Sequence, residues 1–407
     1  MPATMTCPQS CPQAQQRLLV LDGALGTELE RRGASLKTRL WSAALLCGTE
    51  DQRELVRQVH LDYLRAGSDI ITTASYQISH AVFHQEMGLS SVEAAACSRR
   101  AVDLAASARE QFCSEQAQPG KGDGDEVQGL ASSQARLLPC ATKPRQPLIA
   151  FSCGPFGASL GDGSEYSGSY ADHMNESELV QHHRQVIEPI LDDPRVDMLC
   201  FETIPSLKEA LAITHLLEEL RPAKPAWMSF SCKDGKSICH GELFAEEVVP
   251  ALWPCAHLAA VGINCVRPPF VPQLLQEAHA KIQQLQQQDV EARQGQECVQ
   301  QGQGHNNSLS GNSSFGSRRR GAEALALVCY PNSGEGWDDE KRAWVESPEA
   351  AGPQHFAAQA RAWVAAGGGV LRILGGCCRT TPAHIRCMRD ALAGMEGSGI
   401  GNHRLQG

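Results

Sequence analysis

Four short stretches of this 407-residue chain carry side chains that could do chemistry together: "GINC" ending at Cys265, "GGCC" ending at Cys377-Cys378, "LDGALGTE" with Asp22, and "FETIPS" with Glu202. Adjacent cysteines rarely close a disulfide on each other, because the ring is strained. Cys377 and Cys378 therefore need another partner. Three thiolates with a fourth position open form a catalytic zinc arrangement rather than a closed structural one. Such a site carries net negative charge and makes hydroxide poorly. It suits a fourth sulfur, keeping a thiol substrate deprotonated yet electron-rich. The chemistry implied is alkyl transfer to a thiol, with no general base needed from the protein. Asp22 and Glu202 could hold a substrate ammonium. Trp41, in "RLWSAALL", could face a cationic methyl donor by cation–π attraction.

Each of these residues has a plainer use. Asp22 and Glu202 could be helix N-terminal charges or rim ion pairs, and Trp41 could simply pack. Cysteine is often a small core residue, and Cys153, Cys200, Cys232 and Cys329 also fall near strand ends. His80 and His84 have one-face helical spacing, but no glutamate follows the first histidine as a zinc-protease helix requires. We read them as a surface or packing pair.

Positioning the cysteines and acids together takes a particular fold. Eight apolar runs recur, at 18–24, 68–77, 147–155, 197–204, 226–232, 259–266, 324–331 and 369–376. They are near-continuously apolar, as strands buried on both faces should be. Helical patterns separate them, with start signals at Ser90-x-x-Glu93, Ser206-x-x-Glu209 and Thr381-Pro382. The segment 51–67 is amphipathic and stops at a glycine. Eight βα units predict a (β/α)8 barrel, whose active site lies at the C-terminal strand ends. Asp22, Glu202, Asn264, Cys265, Cys377 and Cys378 all fall there. A doubly wound open sheet is the alternative, but "DGALGTE" lacks the dinucleotide-loop glycine pattern. The Gly-Gly before the cysteine pair predicts a turn that lets the backbone approach a metal closely.

Residues 114–146 and 284–322 are polar, Gly-, Gln- and Ser-rich insertions, the second opening as an extension of a helix from about 271. The domain expected is a barrel over 18–396, with a disordered start at 1–17 and a flexible end at 397–407. Hydrophobic residues make up 42% and net charge is −10, which argues against a general nucleic-acid surface. The run Arg318–Arg320 reads as a solvated loop. The opening residues hold no apolar signal core, and no run is long enough to span a membrane. The 17 cysteines are therefore expected to be reduced, in a cytoplasmic protein.

Taken in order, "LDGALGTELERRG", "HLDYLRAGSDIITTASYQ", "GPFGASLGDGSEYSG", "FETIPSLKEA", "GINC", "YPNSGE" and "GGCCRTTP" resemble the homocysteine S-methyltransferase family from about 18 to 394. The resemblance implies Zn²⁺ bound by Cys265, Cys377 and Cys378. It assigns Asp22 and Glu202 to the homocysteine amino group and the backbone near Ser75 and Tyr76 to its carboxylate. It also places Asn264 close to the site and Trp41 in the donor pocket. The motif forms are similar to the branch that uses S-methylmethionine, with S-adenosylmethionine as a second donor. The betaine branch differs: it has a tyrosine where this chain has Gln77, and a C-terminal dimerisation arm absent after Gly394. The partners implied are small molecules, with neither nucleic acid nor membrane, for a monomer or weak oligomer. Two other readings are a zinc hydrolase on the same barrel and a non-catalytic binding protein with a structural zinc. Hydrolytic sites favour histidine and carboxylate ligands, whereas these strand ends offer cysteines.

Overall fold

The computed structural model describes residues 17–117, 146–302, 325–338, 343–345 and 352–397. The basic run 318–320, the middle of both insertions and nearly all of both expected disordered ends lie outside these residues.

Eight parallel strands form a ring. They are β1 (Leu19–Val20), β2 (Ile70–Thr72), β3 (Leu148–Cys153), β4 (Met198–Ile204), β5 (Ala226–Phe230), β6 (Leu258–Asn264), β7 (Ala326–Tyr330) and β10 (Leu371–Leu374). A small antiparallel hairpin, β8 (Gly336–Asp338) with β9 (Ala343–Val345), precedes the last of them and adds to the expected elements. The hydrogen-bonded order is β1-β10-β7-β6-β5-β4-β3-β2. A Leu21–Ile70 bridge joins the outer two strands, with Asp69 N–H donating to Val20 O at 2.7 Å and Asp22 N–H to Ile70 O at 3.0 Å. The ring therefore closes as the barrel expected and not as an open sheet.

Each apolar run holds a strand, but a shorter one. Pairing of β2 stops at Thr72, and residues 74–77 turn across the barrel end. In the last run, Gly368 takes φ 55° and starts a 3-10 turn before β10, a conformation open to glycine at no steric cost.

Helices cover the ring. Glu50–Arg65 starts on a capping box in which Thr49 Oγ1 accepts from Gln52 N–H at 3.3 Å and Gln52 accepts from Thr49 N–H at 2.9 Å. Ser90 and Glu93 pair in the same reciprocal way. Ser206 caps Glu209 N–H, but the Glu209 carboxylate does not return to Ser206; it serves the site described below. Helix Ser91–Ala117 runs into the first insertion and helix Val271–Gly302 into the second, so the Gln-rich opening is helical as expected.

Burial occurs in two layers. Leu21, Ile70, Ala150, Cys200, Trp227, Val328 and Tyr330 fill the barrel interior. A larger cluster packs strands against helices and includes Cys153, Cys232 and Cys329, all small buried thiols. Burying each large aliphatic or aromatic side chain contributes about 1.5–3 kcal/mol. Gly262 on β6 is required by close approach, since an added Cβ would lie 1.8 Å from Val328 O. Cys47 and Cys97 are paired as a disulfide, a departure from the expectation of reduced thiols. Their Cα atoms lie 6.7 Å apart, close enough to bridge. Among the described residues no helix is long and apolar enough to cross a membrane.

Candidate active site

The C-terminal ends of the strands meet around three sulfurs. Cys265 follows β6 in a left-handed conformation (φ 51°) that ends the strand, while its N–H still donates to Tyr330 O at 3.3 Å. Beyond β10 the chain threads between the ends of β1 and β7. Gly375 N–H donates to Cys329 O (3.0 Å), Gly376 N–H to Asp22 O (3.1 Å) and Cys377 N–H to Pro331 O (2.7 Å). The glycines are needed for this passage. A Cβ on Gly375 would stand 2.6 Å from Leu21 Cβ, and one on Gly376 would stand 2.4 Å from Thr380 Oγ1. Because the strand has ended, Cys377 and Cys378 escape its alternation and both face Cys265. Cys265 Sγ lies 2.9 Å from Cys377 Sγ and 3.3 Å from Cys378 Sγ.

Among the described residues these cysteines are the one group of three or more metal-ligating side chains, their sulfurs all within 4.8 Å of each other. A tetrahedral zinc with Zn–S bonds of about 2.3 Å needs sulfurs about 3.8 Å apart, a modest opening of this trio. The sulfur–sulfur hydrogen bonds act most on each thiol, downward for Cys265 and Cys378 and upward for Cys377. The bond to the other sulfur acts the opposite way on each, burial raises all three, and all three end well above the ordinary thiol range. Three such thiols become thiolates together only beside a cation, so the donor set fits Zn²⁺. His80 and His84 form no such cluster: both His80 ring nitrogens are buried without a partner, and His84 Nδ1 meets Leu89 O at 3.2 Å.

The two expected acids share the mouth. Asp22 accepts from Thr72 N–H at 2.8 Å and Thr72 Oγ1 at 3.1 Å. Burial raises its pKa well above the usual carboxylate range, and the charge of Glu202 raises it further. Glu202 accepts from Ser152 Oγ and Tyr330 Oη, and burial raises its pKa too. Both carboxylates are thus short of positive charge. The ion pairs of their plainer reading do not form, since no salt bridge involving either occurs among the described residues.

Asn264 is fully buried, bracing the end of β4 against β6. Its Oδ1 accepts from Thr203 N–H (2.8 Å), and its Nδ2 donates to Thr203 Oγ1 (2.7 Å) and toward Cys377 Sγ (3.8 Å). Thr203, next to Glu202, is held at φ 61°, where the β4–β5 register shifts. Left-handed backbone at a β-branched residue costs about 1–3 kcal/mol and marks functional sites. Ser75 is placed differently from Tyr76. Its hydroxyl turns into the β2–β3 seam, donating to Ser152 O at 2.7 Å, so only its backbone is left for a ligand. The Tyr76 phenol bonds Thr203 and lies within range of the Cys265 and Glu202 charges. The Trp41 ring covers Gly26, just after β1, at a spot where a Cβ would stand 2.0 Å from the ring. Gln77 Nε2 donates to Ala158 O at 3.4 Å, toward the loop after β3.

That loop, 154–172, holds the residues missed from sequence. Tyr166 Oη lies 3.7 Å from Cys265 Sγ, and Ser231 Oγ, just beyond β5, donates to Glu165 O at 3.1 Å. The loop is anchored by Glu209, whose fully buried carboxylate accepts from Phe156 N–H (2.7 Å) and Tyr170 Oη and meets His183 Nε2 (2.9 Å). The signal available was the run "GDGSEYSG": glycine-rich turn sequence with an acid and a tyrosine at a barrel's active end.

The homocysteine S-methyltransferase family profile matches residues 19–392. A homocysteine S-methyltransferase of Bacillus subtilis (strain 168), YbgG, is 37% identical over 91% of this chain and 92% of its own. A selenocysteine methyltransferase of Astragalus bisulcatus is 36% identical over 91% of each chain. The metallated form of the Escherichia coli homocysteine methyltransferase MmuM superposes with a TM-score of 0.65 at 32% identity, over 92% of this chain and 96% of that one.

Proposed function

The chain belongs to the homocysteine S-methyltransferase family and is a methyltransferase, and from that premise we propose that it moves a methyl group from S-methylmethionine to the sulfur of L-homocysteine, using Zn²⁺ held by Cys265, Cys377 and Cys378. The observation that carries this reading is the meeting of three sulfurs beside two cation-deficient carboxylates at one barrel mouth.

When bound, zinc supplies the positive charge that keeps a thiol sulfur ionised at neutral pH. Cys265, Cys377 and Cys378 give up their protons to hold it. Asp22 and Glu202 receive the homocysteine ammonium; their raised pKa values fall as that cation replaces lost hydration and screens their repulsion. Asn264 holds Thr203, and through it the neighbouring Glu202, in place. Tyr76 and the backbone about Ser75 border the carboxylate side, and Trp41 borders the donor. Loop 154–172 leans over the ends of β5 and β6 and limits water. The donor's sulfur–methyl bond breaks as the homocysteine sulfur bonds that carbon. The electron pair stays on the donor sulfur, so two methionines leave. With no proton transferred to carbon, the chain's contribution is orientation and exclusion of solvent.

Three cysteines argue against a hydrolase, whose zinc sites favour histidine and carboxylate ligands, and the two acids beside them would have no use at a purely structural zinc. Gln77 in place of a tyrosine supports the sulfonium-using branch over betaine. We take residues 18–396 as one barrel domain carrying both insertions. We assign it to the cytoplasm, where a three-cysteine site stays reduced and the Cys47–Cys97 pair is the exception, as a monomer or weak oligomer. The test is a donor panel of S-methylmethionine, S-adenosylmethionine and betaine with homocysteine, with zinc measured in parallel. Turnover with the first, and loss of zinc and activity together in Cys378→Ala, is expected. A Cys378→Ala protein with full zinc and full turnover refutes the reading.

A further inference from the structure

Among the described residues, the carboxylates near the mouth have partners on other residues, except half-buried Glu165, whose one hydrogen bond comes from its own backbone N–H. Asp22 has Thr72, Glu202 has Ser152 and Tyr330, and Glu209 has three donors on the loop and its neighbouring helix. Glu165 Oε2 is shielded from solvent and has none. A carboxylate in that condition costs free energy unless it is protonated or given a cation.

Its place is fixed from both sides. Ser231 holds its carbonyl over β5, and Gly157 leaves so little room that a Cβ there would lie 2.9 Å from Glu165 N. Its charge is felt by the phenols of Tyr76 and Tyr166, the same two that feel Cys265. Glu165 thus belongs to the cysteine mouth, next in sequence to Tyr166, whose Oη lies 3.7 Å from Cys265 Sγ, with the aromatic rings of Tyr166 and Tyr76 in its neighbourhood. Cations are drawn to such rings as well as to the acid.

Charge balance says what it awaits. Homocysteine brings one ammonium, which Asp22 and Glu202 take. A third acid has nothing to pair with in the acceptor. A sulfonium donor carries one positive charge more than the thioether it becomes. We propose that Glu165 is a specificity-determining residue that selects the positively charged methyl donor by facing its sulfonium between Tyr76 and Tyr166, an assignment that rests on the proposed sulfonium-to-homocysteine transfer. Burial, with the charge of Asp162 behind it, lifts the Glu165 pKa to about 7, consistent with a group lacking its cation. Facing a sulfonium also favours release, because the product is neutral at that sulfur and loses the attraction.

The test compares zinc-loaded wild type, Glu165→Gln and Glu165→Asp. Calorimetry without homocysteine gives the Kd of S-methylmethionine and of methionine, which lacks the sulfonium charge. Kinetics give the KM of each substrate. Glu165→Gln should raise the Kd and KM for S-methylmethionine roughly thirtyfold or more, as for a desolvated charge left unpaired. It should leave methionine binding, homocysteine KM and zinc content unchanged, and Glu165→Asp should restore part of the donor affinity. Equal weakening of S-methylmethionine and methionine would place Glu165 at an ammonium and overturn the assignment. So would unchanged donor affinity, or loss of zinc and homocysteine binding along with it. Wild type inert to sulfonium donors would overturn the donor reading first, and the assignment with it.

Discussion

Asn264→Ala tests how the site is built. Asn264 gives Thr203 two hydrogen bonds, at 2.8 and 2.7 Å, and its amide leans on Cys377 Sγ at 3.8 Å. Losing two neutral bonds removes about 2 kcal/mol, and the orphaned Thr203 N–H adds about 1, for a total near ~3 kcal/mol. For a chain of this size that lowers the thermal midpoint by roughly 3–4 °C. The functional loss should be larger. Thr203 is held at φ 61°; once freed it relaxes toward ordinary strand backbone and carries Glu202 with it. A displacement of about 1 Å at a positioning group costs about a hundredfold, so kcat/KM for homocysteine should fall by that order. Thermal unfolding and steady-state kinetics on the variant are the assay. A destabilisation below about 0.5 kcal/mol, or a homocysteine KM unmoved in Asn264→Ala, would refute the view that Asn264 stores the strain that aims Glu202.

Three further outcomes are expected. Gly376→Ala puts a Cβ 2.4 Å from Thr380 Oγ1, which accepts from Ala24 N–H at 3.2 Å and donates to Cys377 O at 2.7 Å; the variant should fold yet lose zinc, read as the metal-to-protein ratio beside an unchanged circular dichroism spectrum. Because the folded protein holds the Asp22 proton more tightly than the unfolded chain, that contribution to stability is full below about pH 4 and is lost as pH rises through the raised value. The thermal shift given by homocysteine should therefore grow as pH rises through that raised value, and Asp22→Asn should flatten that rise. Glu209→Ala strands three donors, Phe156 N–H, Tyr170 Oη and His183 Nε2; it should cost about 3–5 kcal/mol and expose loop 154–172 to limited proteolysis before the rest of the barrel.

The barrel was legible because its strands are buried on both faces and so read as apolar runs. The strand lengths were not: where pairing stops depends on partners distant in sequence, as at Thr72, where the chain turns across the barrel end. The capping signals show the same division. Ser90-x-x-Glu93 pairs locally, as its spacing says. Ser206-x-x-Glu209 has the same spacing, yet the Glu209 carboxylate serves Phe156, Tyr170 and His183. Nothing local in the sequence distinguishes the two. Cys47 and Cys97 are a further case, since their pairing depends on two helical segments meeting.

For the site, the sequence by itself determined the residue types and the rim they share. In a parallel barrel every strand ends at the same face, so Asp22, Glu202, Cys265, Cys377 and Cys378 had to gather at one mouth once the strands were counted. Tertiary structure decided which atoms meet there. It set the 2.9 and 3.3 Å sulfur separations, turned Ser75 away while keeping Tyr76, and laid Glu165 and Tyr166 across from another loop. The physical reason is that strand direction follows from local pattern, whereas the aim of a side chain past a strand end is set by backbone turns such as those at Thr203 and Cys265, held by contacts from the far side of the barrel.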